Sequence, residues 1–441
     1  MEILIQAGQL ILSLSLLIVL HEFGHYLPAR WFKTRVEKFY LFFDWKFSLF
    51  KKKIKDTEWG IGWIPLGGYV KISGMIDESM DKEQMKQEPQ PHEFRTKKTW
   101  QRLIIMIGGI VVNFIVGILI YIMVLFTWGE EYYEMSDLTN GFAVHDSLEV
   151  YGFKDGDKIL SIDNEVPMDI TDVNVMMLLR GAKNIEVEHL DGAKQTIALP
   201  ENIDMKLFKA DAMNAFVPRI YTIIDTLDST MNAHKAGFLQ GDSIVGINDK
   251  IVPFYDQFQQ EIVEHKMSTV NINFYRNGVS MTLPADIDSN GRLGFIAEAP
   301  SDQLNRRHKG YSFGEAIPAG LGLAYSTLTD YISQLKFLFT SKGASSIGGF
   351  GAFGGLFAPE WNWHVFWLMT GFISIVLAFM NFLPIPALDG GHIMFLLYEM
   401  ITGRKPNEKL MEYAQMAGII LLLGLLVYAN GNDIYKAIFG K

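Results

Sequence analysis

Two histidines and a glutamate, His21, Glu22 and His25, stand within one helical turn of each other in an otherwise apolar stretch. On a helix the two histidines share one face, about 6 Å apart along the axis. Imidazoles so placed can bind one zinc ion at Zn–N distances of about 2.0–2.1 Å, with the intervening glutamate beside the metal rather than on it. That is the position of a general base, which takes a proton from activated water and passes it to a leaving amine. The chain has Cys 0, so any protein ligand must be an imidazole or a carboxylate. A catalytic zinc takes three protein ligands and keeps one position open. Asp389 is the first candidate for the third ligand. It closes the run Asn381-Phe-Leu-Pro384-Ile-Pro386-Ala-Leu-Asp389-Gly390-Gly391-His392, in which prolines break a helix and glycines let the chain turn back. His392 is the rival ligand.

The elements that must position these residues read as membrane spans. The composition, 49% hydrophobic and 20% charged, fits spans joined to a water-soluble portion. Segments at 3–26, 103–128, 364–382 and 413–428 have the length and apolarity that a hydrocarbon core of about 30 Å demands. The first opens on Met1 and Glu2 without a basic stretch, and is expected to be a retained span rather than a signal peptide. Lysines and arginines crowd the first and last connections, among them Arg30, Lys33, Arg35, Lys51, Lys52, Lys53, Arg404 and Lys405, which predicts that both face the cytoplasm and that the long middle region faces the other side. The net charge of −10 argues against nucleic acid as a partner.

The middle region carries a repeat. Gly152-Phe153-x-x-Gly156-Asp157-x-Ile159-x-x-Ile162-Asp163 recurs as Gly237-Phe238-x-x-Gly241-Asp242-x-Ile244-x-x-Ile247-Asn248. Each copy joins a Gly-Asp turn to a strand, with further β-rich sequence behind it. The pattern resembles that of bacterial PDZ domains, which bind extended peptides as an added strand. An amphipathic helix is expected at 312–341, against the membrane or the repeat pair, followed by a glycine-rich hinge or re-entrant loop at 343–355. Residues 59–74 read as a membrane-associated hairpin turning at Gly67-Gly68, whose strand, including Gly68, Tyr69 and Val70, is expected to pair with an unwound substrate.

The expected fold is therefore a polytopic α-helical membrane protein with four transmembrane helices, a membrane-associated β-hairpin region and two extracytoplasmic PDZ domains of α+β type. Its divisions are 1–28 (first span), 29–100 (cytoplasmic loop and β region), 101–128 (second span), 129–217 and 218–303 (PDZ domains), 304–362 (amphipathic helix and glycine-rich loop), 363–383 (third span), 384–412 (second cytoplasmic loop) and 413–431 (fourth span).

His-Glu-Phe-Gly-His at 21–25, the 381–392 run and PDZ-like modules between the second and third spans together resemble the site-2 protease family, in its bacterial RseP-like branch. The resemblance covers nearly the whole chain. It implies Zn2+ held by His21, His25 and Asp389, Glu22 as acid and base, and Asn381 helping to hold an unwound substrate. It further implies cleavage of single-span membrane proteins already trimmed outside, anti-sigma factors and remnant signal peptides among them, with the PDZ pair screening out bulky untrimmed domains. Two PDZ modules without cysteine fit a Gram-negative inner membrane. Residues 343–355 depart from the Gly-Pro-x-Gly expected there and inherit no role. Two other classes compete. An inactive PDZ scaffold for envelope proteins would leave Glu22 and both histidines without a purpose. A metal transporter would require a route of polar residues on several spans, whereas the second and fourth offer little beyond Asn113.

Overall fold

The computed structural model describes residues 1–75 and 88–440, so part of the predicted 29–100 region lies outside the described residues. The chain divides into two units, Met1–Gly129 with Gly310–Lys441, and Glu130–Lys309.

Among the described residues of the first unit, four helices are long and apolar enough to cross a bilayer: Glu2–Trp31, Thr99–Trp128, Trp363–Phe382 and Glu408–Phe439. They are called the first to fourth spans below. Most exceed the apolar windows read from sequence, because a helix continues its backbone hydrogen bonds beyond the hydrocarbon layer into polar residues. The first and second spans cross closely at glycines: a Cβ added to Gly24 would lie 2.6 Å from Gly109 Cα. Only small residues let two helix backbones approach so far in lipid.

Behind the first span stands a four-stranded sheet of β1 (Val36–Phe43), β2 (Phe50–Ile54), β3 (Thr57–Ile61) and β4 (Ile64–Ile72), in the order β2-β3-β1-β4. This corrects the expected hairpin. Gly67 and Gly68 lie inside β4, not at a turn, and β3 and β4 are separated by β1, which pairs parallel with β3 and antiparallel with β4. Gly68 serves close approach instead, since a Cβ there would meet Ile18 of the first span at 2.6 Å. The expected loop at 384–412 also needs correction: it contains the helix Asp389–Thr402.

The amphipathic helix runs Phe313–Leu338 and opens with a capping box between Ser312 and Glu315. Of its two expected seats it takes the spans, with Gly320 against Ile122 of the second and Tyr331 against Phe372 and Phe379 of the third. The glycine-rich stretch after it forms the short helices Ser341–Ser346 and Phe350–Gly354, and is tied to the fourth span. Backbone amides of Gly349, Gly351 and Ala352 donate to the Asp433 carboxylate at 2.9, 2.9 and 3.2 Å.

The second unit shows the repeat in three dimensions. Strands Lys158–Ile162, Asn184–Glu188 and Lys194–Ala198 form one antiparallel sheet over a core that includes Phe142, Phe153 and Phe216. Strands Ser243–Ile247, Thr269–Arg276 and Val279–Asp286 follow the same sequence in a larger sheet, over Phe238, Phe258 and Phe274. Gly156 and Gly241 adopt matching φ of 89° and 87°, a left-handed turn that favours glycine. The aspartate after each is buried and accepts the amide three residues back, Asp157 from Lys154 and Asp242 from Leu239, both at 2.8 Å.

The copies differ in the partner of that aspartate. Asp242 pairs with Arg276 and Asp157 with His189 Nδ1, each at 2.6 Å. His189 Nε2 faces Gln195 Oε1 at 3.1 Å, so acceptors flank both ring nitrogens. The Asp157 hydrogen bond, followed by that of Gln195, raises the His189 pKa above its ordinary value. A raised histidine pKa means the native state holds the proton more tightly than the unfolded chain. Its stabilisation is complete below the unfolded pKa of about 6.5 and is lost as pH climbs through the folded value. Amide exchange of the Lys158–Ala198 sheet in the full chain, corrected for intrinsic rates, should show protection falling from pH 6 to pH 9. His189→Gln should flatten that dependence while leaving the Val279–Asp286 sheet unchanged.

Candidate metal centre

His21 and His25 project from one face of the first span, their rings edge to face with centroids 4.8 Å apart. Asp389 meets them from the first residue of its helix. The two Nε2 atoms lie 3.2 Å apart, and Asp389 Oδ2 is 3.2 Å from that of His21 and 3.4 Å from that of His25. Among the described residues, these three form the one group of histidine and acidic side chains placed to hold a metal ion.

Hydrogen bonding determines which atoms face the centre. His25 Nδ1 lies 2.8 Å from the Ile105 carbonyl, which can only accept, so the ring proton sits on Nδ1 and Nε2 presents a lone pair. His21 Nδ1 is 3.2 Å from the Asn113 side-chain amide, whose own Oδ1 is buried without a partner. Turning that amide over lets Oδ1 accept from His21 Nδ1–H, which leaves the second Nε2 as a lone pair. Asp389 Oδ2 is likewise buried with no donor directed at it. Three lone-pair atoms packed this closely repel one another unless a cation lies among them. Ligand atoms about 2.0–2.1 Å from a tetrahedral zinc are spaced about 3.3 Å from each other, so the observed separations fit that ion.

The surrounding fold holds the three in place. Asp389 follows a tight reversal in which Ala387 adopts φ 79°. Gly391 allows that reversal, since a Cβ there would lie 2.7 Å from Ile385 O and Pro386 Cα. The helix behind Asp389 docks on the second span through Glu399, which accepts from Arg102 at 2.6 Å and Thr99 at 3.1 Å in a largely buried cluster. On the opposite side the imidazoles rest against Gly109, where a Cβ would come within 2.7 Å of His21 Cε1.

Glu22 lies beside the histidines and next to β4. The Val70 backbone amide interacts with its carboxyl, and Gly68 approaches its side chain. The sequence-predicted residues His21, Glu22, His25, Asp389, Gly68 and Val70 therefore gather in one place. Tyr69 points elsewhere, donating its hydroxyl to Asp44 at 2.8 Å. His392, the rival ligand, stands outside the cluster, 3.2 Å from Gln415 Nε2 on the fourth span. Asn381 is half-buried in the last turn of the third span and is not part of the ligand group. Sequence reasoning passed over Gly109 and gave Asn113 no role; a polar side chain in a span opposite a histidine pair was the available signal.

Comparison with known proteins agrees with this geometry. The profile described as peptidase family M50 matches residues 9–425. A Haemophilus influenzae protein named regulator of sigma E protease is 27% identical, covering 99% of this chain and 100% of its own length. Protease RseP of Yersinia pestis is also 27% identical with the same coverage, and metalloprotease MmpA of Caulobacter vibrioides is 26% identical over 98% of this chain and 96% of its own. With four apolar helices, a ligand cluster that fits zinc and a profile matching nearly end to end, the chain belongs to peptidase family M50, the site-2 proteases, and is a membrane metalloendopeptidase.

Proposed function

We propose that this protein cuts single-span membrane proteins within or beside the bilayer, with His21, His25 and Asp389 holding zinc and Glu22 moving the proton. The observation that carries the reading is the convergence of three lone-pair atoms at 3.2–3.4 Å beside a glutamate that is not one of them. A bound zinc supplies a Lewis acid that polarises a peptide carbonyl and activates water at neutral pH. Ile105 and Asn113 keep the histidine protons on Nδ1, so that both Nε2 atoms stay available. Glu22 accepts a proton from the attacking water and delivers it to the leaving amine. Gly68 and Val70 offer the backbone of an edge strand beside Glu22, suited to pairing with an unwound substrate, with Tyr69 fixing the strand from its other face and Asn381 steadying the substrate.

The second unit is read as two PDZ domains, 129–217 and 218–303, supported by its repeated turn and sheet. They would face the periplasm of a Gram-negative cell, with the spans in the inner membrane. Substrates would be chains already trimmed there, anti-sigma factors and remnant signal peptides among them, consistent with a relative named regulator of sigma E protease.

Four experiments test this. Purified Glu22→Gln should retain zinc while cleavage of a tagged single-span substrate falls about 10²-fold or more. Asp389→Ala should lose the metal and His392→Ala should keep it; no zinc in the wild type would leave a PDZ scaffold as the better account. Asn113→Ala should weaken zinc binding about 10–100-fold, and Gly109→Ala should displace the imidazoles, whereas Gly424→Ala, which meets open space, should do neither. Val70→Pro should keep zinc and raise KM if the strand binds substrate, with Val70→Ala near wild type. A fall in kcat alone would assign the Val70 amide to Glu22 instead.

A further inference from the structure

The sheet behind the first span has a second edge, remote from Glu22, for which the protease reading has no use. β2 is exposed along its whole length and, among the described residues, pairs only with β3. The turn before it exposes Trp45, Phe47 and Leu49, at 62%, 57% and 65%. These side chains form an ordered surface: Phe47 stacks on Trp63 at 5.6 Å and 4°, Trp63 Nε1 donates to the Trp45 carbonyl at 2.8 Å, and Lys46 lies over the Trp45 ring at 4.4 Å. Lys51, Lys52, Lys53 and Lys55 follow. Among the described residues none of these four forms an ion pair: Glu58, opposite Lys53 on β3, accepts from the Tyr40 hydroxyl at 2.7 Å, and Asp56 sits 3.9 Å from Arg30.

Strand register gives this strip a depth. Phe50 aligns with Ile61, Ile61 with Leu41 and Leu41 with Gly68, which touches Ile18 of the first span. Lys52 aligns through Trp59 and Phe39 with Val70, at the level of Glu22. The Lys55-Asp56 turn comes level with Arg30, at the C-terminal end of that helix. The apolar tip therefore lies deepest along the span, and the lysines occupy roughly the last 14 Å before its end, where a bilayer passes from acyl chains to headgroups. A free strand edge is excluded from hydrocarbon but can be satisfied among phosphates and water. Lysines snorkel towards that layer while aromatic side chains seat below it.

We propose that β2 and the 45–49 turn form a binding strip for anionic phospholipid headgroups, taken from the leaflet at the C-terminal end of the first span. The occupant follows from charge complementarity with the four unpaired lysines and from continuity with the bilayer that the spans cross. The inference rests on membrane placement and not on the chemistry of the metal centre.

With Cys 0, the chain accepts a single probe: Leu49→Cys, carrying an environment-sensitive fluorophore, in the full-length protein reconstituted in vesicles. In phosphatidylcholine containing phosphatidylglycerol, emission should shift to shorter wavelength and acrylamide quenching should fall relative to phosphatidylcholine alone. Adding Lys51→Gln, Lys52→Gln, Lys53→Gln and Lys55→Gln together should abolish that difference while zinc content stays at the wild-type level. The comparison between lipids needs no lysine variant, so it stands even if the quadruple variant misfolds. Equal emission in both vesicles would overturn the proposal and leave the lysines as guards of a free edge. A shift that follows protein density rather than phosphatidylglycerol would also overturn it, assigning the strip to a second copy of the chain. Zinc content and the Glu22→Gln comparison report on the protease reading separately.

Discussion

Two imidazole nitrogens and one carboxylate oxygen are held against each other at 3.2–3.4 Å. Without a cation this is unfavourable, because each atom has given up water for a neighbour of the same polarity. The rest of the first unit can be understood as what it takes to impose that meeting. Glycines at the crossing of the first two spans bring the second span's backbone up to the rings. A carbonyl on that span fixes the His25 proton on its far nitrogen, and the Asn113 side-chain amide meets the far nitrogen of His21. The proline-glycine reversal delivers the carboxylate at the start of a helix, and the Arg102–Glu399 pair anchors that helix behind it. Burial of the pair makes it costly to break from one side, which suits a part whose task is position.

The fold sets Glu22 apart from the three clustered side chains. Glu22 shares the histidines' helix but faces the sheet, beside a strand whose own pairing is completed on one side by β1. Glu22 and the free backbone of β4 thus share one edge of the sheet. The second unit contains two buried turns of the same design with different counter-ions.

Much of this was legible in the residues, and what was not has specific causes. The His-x-x-x-His spacing and the helical period are local, so the first span and two ligands could be read directly. The choice between Asp389 and His392 could not, since both lie in one short run and only the reversal at Ala387 decides which one faces the histidines. Gly67-Gly68 looked like a turn because adjacent glycines usually mark one. Here the glycine at 68 is small to admit Ile18, a contact with a distant segment that no local rule contains. The sheet order failed for a related reason, because the parallel pairing of β1 with β3 depends on a crossover rather than on neighbouring sequence. The repeat was visible because its glycines and aspartates carry backbone and hydrogen-bond requirements that few other residues meet.

The three clustered side chains come from distant parts of the chain, His21 and His25 before the second unit and Asp389 after it. A ribosome therefore finishes two spans, the whole second unit and a third span before Asp389 exists. Until then the nascent protein carries a histidine pair without its carboxylate, in a membrane crowded with other newly inserted helices. A chain that stalls or is clipped before Asp389 lacks one corner of the cluster, so the order of synthesis itself delays assembly of the three-residue group until the first three spans have been made.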